Sequence, residues 1–197
     1  MAYGTKWTFA LMTLALVCAA RGSAGELKIG DAAPSFQDII GVDGNRHSLA
    51  DYKDAKLLVV VFTCNHCPVA KAYEDRLIAL QKQYESKGVQ LVAVNVNTIP
   101  DDQLEPMKAR AKEKGFNFPY LYDASQKMGH DYGALVTPHV FLLDQDRKVG
   151  YIGAVDDNMR PDKVKDSYLR DALDALLAGA KPPHEQTKAI GCGIRYE

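Results

Sequence analysis

Apolar residues crowd into one unbroken run, Leu57-Leu58-Val59-Val60-Val61-Phe62, between polar neighbours. A continuous run rich in β-branched residues, spanning Lys56 to Thr63, predicts a strand covered on both faces, as in a parallel or mixed sheet. The period then changes. Ala70, Tyr73, Leu77, Leu80 and Tyr84 recur at spacings of three and four, which predicts an amphipathic helix over Val69 to Lys87. Gly88 follows where a helix C-terminus favours a left-handed residue. Val89 to Val96 reads as a second strand, and Asp101 to Gly115 as a helix with Pro106 near its first turn. Val140 to Asp144 and Lys148 to Gly153 predict two strands around the turn Gln145-Asp146-Arg147. Val164 to Leu177 predicts a last helix, with Leu169, Leu173, Leu176 and Leu177 as its apolar stripe. The order β-α-β-α-β-β-α, with an N-terminal segment that forms a hairpin around Asp43-Gly44, predicts an α/β fold with a sheet covered by helices.

The first residues follow another pattern. Trp7 to Ala20 is an uncharged, mostly apolar run of 14 residues between Lys6 and Arg21. It is short for a bilayer, which takes about 20 residues, and suits the apolar region of a secretory leader. Cleavage after Ala20 or Ala24 meets the preference for small residues. The expected organisation is a leader at 1–24, one domain at 25–180, and a tail at 181–197 that carries Cys192. The product is then exported, periplasmic or extracellular, without stable membrane insertion; a membrane-anchored N-terminal helix is the alternative. The leader would take Cys18 with it, and its two basic residues shift the net charge from −1 to −3. No basic block remains to suit nucleic acid or an anionic membrane.

Three cysteines are left, Cys64, Cys67 and Cys192, in a compartment that oxidises thiols. Cys64 stands where the buried strand ends and the helix begins. Unpaired backbone N–H groups and the helix dipole favour an anion there, so Cys64 is expected to have a lowered pKa and to act as a nucleophile. Cys67 follows three residues later, placed to attack a mixed disulfide at Cys64 and release the product thiol. His66 between them would stabilise a Cys64 thiolate and shift the couple in the oxidising direction, or be a solvated loop histidine. Pro68 sits early in the helix, where a missing N–H costs little. Cys192, in Gly191-Cys192-Gly193, is a candidate third thiol that could resolve an oxidised Cys64, or an inert tail cysteine. A zinc or copper set of Cys64 and Cys67 with His139 or Cys192 is a minor alternative, since one Cys-x-x-Cys is half of a structural zinc site; no metal or cofactor is expected.

The run Cys64-Asn65-His66-Cys67-Pro68, the downstream Val136-Thr137-Pro138-His139-Val140-Phe141-Leu142 and the upstream Gly30-Asp31-Ala32-Ala33-Pro34-Ser35-Phe36 resemble the thioredoxin-like redoxin superfamily. Within it the resemblance is to the AhpC/TSA-type, peroxiredoxin-like group that carries a Cys-x-x-Cys motif, and it covers roughly Gly30 to Leu177. It implies a thioredoxin-like fold, with a central mixed sheet flanked by helices and an N-terminal extension. It also implies a thiol–disulfide oxidoreductase, a cis Thr137–Pro138 bond, and a loop at Thr137 and Pro138 that offers backbone groups to a substrate. The substrate would be a protein or small-molecule thiol or disulfide, with a further redox partner to recycle the dithiol. Two departures stand out. Thioredoxins carry a buried acid six positions before the first cysteine, where this chain has Leu58. Peroxiredoxins carry Pro-x-x-x-Thr-x-x-Cys; counted back from Cys67, those places hold Val60 and Cys64, and counted back from Cys64, Leu57 and Val61. Disulfide exchange is thus favoured, and a thiol-dependent peroxidase is the alternative.

Overall fold

The computed structural model describes Met1 and residues 27–197, so the expected leader and Cys18 lie outside the described residues. Thirteen strands and helices follow in chain order. They are β1 (Ile39–Gly41), β2 (Arg46–His47), β3 (Leu57–Phe62), α1 (Pro68–Tyr84), β4 (Val89–Asn95), α2 (Leu104–Lys114), β5 (Tyr120–Tyr122), α3 (Lys127–Tyr132), β6 (Val136–Thr137), β7 (His139–Leu143), β8 (Val149–Gly153), α4 (Tyr168–Leu177) and β9 (Cys192–Gly193). Seven strands form one sheet in the order β2-β1-β5-β4-β3-β7-β8. It is mixed: β3 runs parallel to β4 and antiparallel to β7.

The unbroken apolar run becomes the central strand because both of its faces are covered. Leu57, Val59 and Val61 join Tyr73, Leu77 and Leu80 of α1, Met107 of α2 and Leu169 and Leu173 of α4. The alternate residues Leu58, Val60 and Phe62 join Met128 and Tyr132 of α3 and Phe36 near the N-terminus on the opposite face. Alternation along one strand therefore feeds two cores at once. Tight pairing of β3 with both neighbours fixes where its C-terminal end, and so Cys64, must lie.

Several boundaries differ from the periodicity. The helix expected from Asp101 starts at Leu104; Pro100–Asp102 instead forms a separate 3-10 turn, and Gln103 is extended. The last helix starts at Tyr168, after a 3-10 turn at Pro161–Lys163. The hairpin at Asp43-Gly44 forms as expected. Short β5, α3, β6 and β9 carry too few residues to show a period, and pattern reading passes over them.

Residues after α4 are bound to the domain along their length. Thr187 N–H donates to Ile152 O at 2.9 Å, and the Thr187 hydroxyl meets Tyr151 Oη at 2.6 Å. β9 then pairs antiparallel with β6, setting Cys192 opposite Thr137. Beyond it Ile194 N–H donates to Leu135 O at 2.9 Å, and Ile194 and Tyr196 pack against the second core.

Candidate active site

Cys64 follows β3 after the single residue Thr63, and Cys67 caps the N-terminus of α1, its sulfur accepting from Ala70 N–H at 3.4 Å with Pro68 behind it. β6, leading to the cis Thr137–Pro138 bond, closes the site from the other side. Thr137 touches both sulfurs: its hydroxyl lies 3.1 Å from Cys64 Sγ, and its carbonyl oxygen 3.3 Å from Cys67 Sγ. The resemblance implied such a loop beside the motif. It did not reveal that a threonine hydroxyl, missing at the peroxiredoxin position, would reach Cys64 from β6.

The bonding of the sulfurs differs from the expected pair. Cys67 forms a disulfide with Cys192, 125 residues further on, and Cys64 is a free, buried thiol. The structure thus brings all three sequence-predicted cysteines together, with Cys192 as the partner of Cys67. Cys192 packs on Cys64, Cys67 and Ala70, so the chain's own tail covers the motif.

That cover changes the electrostatics. Burial pushes the Cys64 thiol up from 9.0 to about 11, against the lowering by its Thr137 hydrogen bond, while the negative charge of Asp102 pushes it up further. The expectation of a lowered pKa is therefore corrected: desolvation outweighs the helix N-terminus in this covered state. Linkage gives a sign. A buried neutral thiol favours the folded state below pH 9, and that contribution is lost as pH rises through 11. Denaturant midpoints are expected to fall more steeply from pH 9 to 11 in the parent chain than in Cys64→Ser, and equal slopes would contradict the burial effect.

His66 is partly exposed and does not act alone. Its Nδ1 hydrogen-bonds a carboxylate oxygen of Asp102, whose side chain is 0 % exposed. The other Asp102 oxygen accepts Asn65 N–H at 2.6 Å and His66 N–H at 3.2 Å. Tyr120 Oη donates to Asn65 Oδ1 at 3.1 Å from β5 of the same sheet. Nothing in the sequence pattern marks Asp102 as a site residue, because Asp101 to Gly115 reads as one helix; its signal is only a doubled acid after Ile99-Pro100.

Cys64, His66 and Asp102 present donor atoms within 4.8 Å of one another. All three already have protein partners, so we do not read them as metal ligands. His139, from the minor metal alternative, is buried, pushed down to about 4 by desolvation, and its Nδ1 accepts Leu135 N–H at 3.4 Å. Beside the site runs a groove of about 440 Å³, walled by Val69, Tyr73, Pro138, Val155, Tyr168 and Ile190.

A Cys-x-x-Cys motif at a strand–helix junction, faced by a cis-proline on a mixed sheet, defines the thioredoxin-fold class. Within that class the chain belongs to the redoxin family, whose model matches residues 28–171. A crystal structure of an uncharacterised conserved protein from Geobacillus kaustophilus is similar to it at 40% identity and TM-score 0.81, covering 87% of this chain and 93% of that one. A hypothetical protein from Sinorhizobium meliloti 1021 gives 36% identity and TM-score 0.81, over 88% and 97%. The thiol-disulfide oxidoreductase ResA of Bacillus thuringiensis subsp. konkukian (strain 97-27) is 25% identical over 150 residues, which are 72% of this chain and 83% of that protein.

Proposed function

We propose that this thiol–disulfide oxidoreductase works with three sulfurs, Cys64, Cys67 and Cys192. The observation that carries the reading is a Cys67–Cys192 disulfide with a free Cys64 thiol held on the same Thr137. The Cys64 thiolate attacks Cys67 Sγ, the Cys67–Cys192 bond breaks, and Cys192 leaves as a thiolate that takes up a proton. The product is a Cys64–Cys67 disulfide with a released tail. A substrate thiolate then attacks Cys64, and a second substrate thiol resolves the mixed disulfide. The substrate leaves oxidised, and Cys64 and Cys67 remain as thiols. A separate redox partner returns the chain to its starting state. His66 tunes the Cys64 thiolate, and Thr137 with the Pro138 loop holds the substrate backbone once the tail has left.

The relatives named as thiol-disulfide oxidoreductases support this class of substrate. Residues 1–24 act as a leader, 25–180 as the catalytic domain and 181–197 as the tail, and the protein works outside the cytoplasm. Among the described residues no helix is long and apolar enough to cross a membrane.

Redox titration with thiol trapping and mass spectrometry, from about −350 to −100 mV, covers the range of known dithiol poises. Both the Cys67–Cys192 and Cys64–Cys67 disulfides are expected, the second dominating in Cys192→Ser. Absence of any Cys64–Cys67 bond in that variant would sink the mechanism. The Thr137 hydroxyl on Cys64 also favours a second reading, peroxide reduction at Cys64. Hydrogen-peroxide consumption that is lost in Cys64→Ser would support it.

A further inference from the structure

Asp102 is a charged side chain with no exposed surface, and burying an uncompensated carboxylate is costly. Its donors are two backbone N–H groups and the His66 ring, and His66 is the one side chain among the described residues that pairs with it. The same turn is clipped once more to the motif, through Asn65, and once to the end of β4, through Asn95. Asp101 O accepts from Asn65 Nδ2 at 2.9 Å, and Asp102 O accepts from Asn95 Nδ2 at 2.9 Å. The 3-10 turn at Pro100–Asp102 thus delivers a carboxylate to the histidine inside the Cys-x-x-Cys motif, within 4.8 Å of the Cys64 sulfur.

The buried thiol has to lose a proton before it can attack, and little solvent reaches it. The other ionisable neighbours suit the task poorly. Tyr120 is held un-ionised by burial and bonded to Asn65. Glu74 is bonded to Arg110 at 2.6 Å. His139 is desolvated and occupied by Leu135 N–H. We infer that Asp102 is a positioning residue that holds Nδ1–H of His66 on its carboxylate, leaving the second ring nitrogen to take the proton of Cys64. The step balances within the chain: the S–H bond breaks, an imidazolium forms against the Asp102 carboxylate, and the proton returns to the thiolate that leaves the attacked disulfide. The inference rests on Cys64 being the nucleophile.

The reverse sign is a real competitor. Taken only as a charge, Asp102 opposes the Cys64 thiolate, so its removal would speed the reaction. Acting through His66, its removal slows it.

The test is the rate of iodoacetamide alkylation at Cys64 in the fully reduced, full-length chain, assigned by fragment mass spectrometry from pH 6 to 11.5. Asp102→Asn keeps an acceptor for the backbone N–H groups and so spares the turn. At pH 7 both Asp102→Asn and His66→Gln are expected to react about 100-fold slower, the lower end of what a positioned proton acceptor contributes. All profiles should converge at the alkaline end of the range, where the thiol ionises unaided. The double variant should be no slower than His66→Gln alone, and Asp102→Glu should recover much of the rate. Unchanged or faster alkylation in Asp102→Asn overturns the inference, as does an equal slowing at every pH or additive losses in the double variant. Because alkylation needs no disulfide, the assay can fail while the three-sulfur exchange stands, and the reverse.

Discussion

Gly191→Val is expected to strongly deplete the Cys67–Cys192 disulfide while leaving the domain folded. A Cβ at position 191 would lie 1.9 Å from Thr137 O and 2.6 Å from Thr137 C. Both are backbone atoms in a strand that leads into the cis Pro138, so neither can swing aside as a flexible side chain would. Overpacking of this kind costs about 1–3 kcal/mol even where neighbours relax, which lowers docking of the tail by about 5- to 150-fold. Cys192 forms its bond only when the tail docks, because docking sets its local concentration at Cys67. Thiol trapping under mild oxidation should then find Cys192 free and Cys64–Cys67 disulfide in its place. Retention of the Cys67–Cys192 bond at parental levels would show that the tail reaches Cys67 by another route. Gly193, with nothing near its virtual Cβ, is the matched control.

The second large effect is on stability. The disulfide spans 125 residues, and the chain-entropy relation gives about 5 kcal/mol for a loop of that size. Cys192→Ser removes all of it if the tail stays docked through Thr187 and Ile194. If the tail comes away instead, the folded state also gains the freedom of a loop of roughly 15 residues, worth about 3 kcal/mol on the same relation, leaving a net loss near 2 kcal/mol. Urea denaturation of the parent and Cys192→Ser, each without added reductant, separates the two cases. A difference under about 0.5 kcal/mol would contradict both.

Much of this arrangement was legible in the chain. The run from Leu57 to Phe62 announced a strand buried on both faces, and the change of period at Val69 placed Cys64 and Cys67 at its junction with α1. Asp43-Gly44 marked a hairpin that forms. What the pattern missed has common causes. Elements of two or three residues, β5, β6 and β9, present no period to read. Asp102 was absorbed into a helical stretch, although the run Ile99-Pro100 leads into a turn that ends before Leu104. The pairing of Cys67 with Cys192 depends on Gly191 passing against the Thr137 carbonyl, a tertiary approach that spacing along the chain does not encode. The direction of the Cys64 shift failed for the same reason: the helix N-terminus is local and visible, while the sulfur and tail that cover the thiol arrive from far away.

Lys188 lies exposed on the tail, between the Gln186–Ile152 bridge and β9. A protease that cuts after it would leave residues 189–197 tied to the body of the protein by the Cys67–Cys192 bond. The nicked chain would migrate as one molecule until electrons reach that bond, and would then shed the fragment. The covalent integrity of the far end of the chain is thus itself a record of its oxidation state.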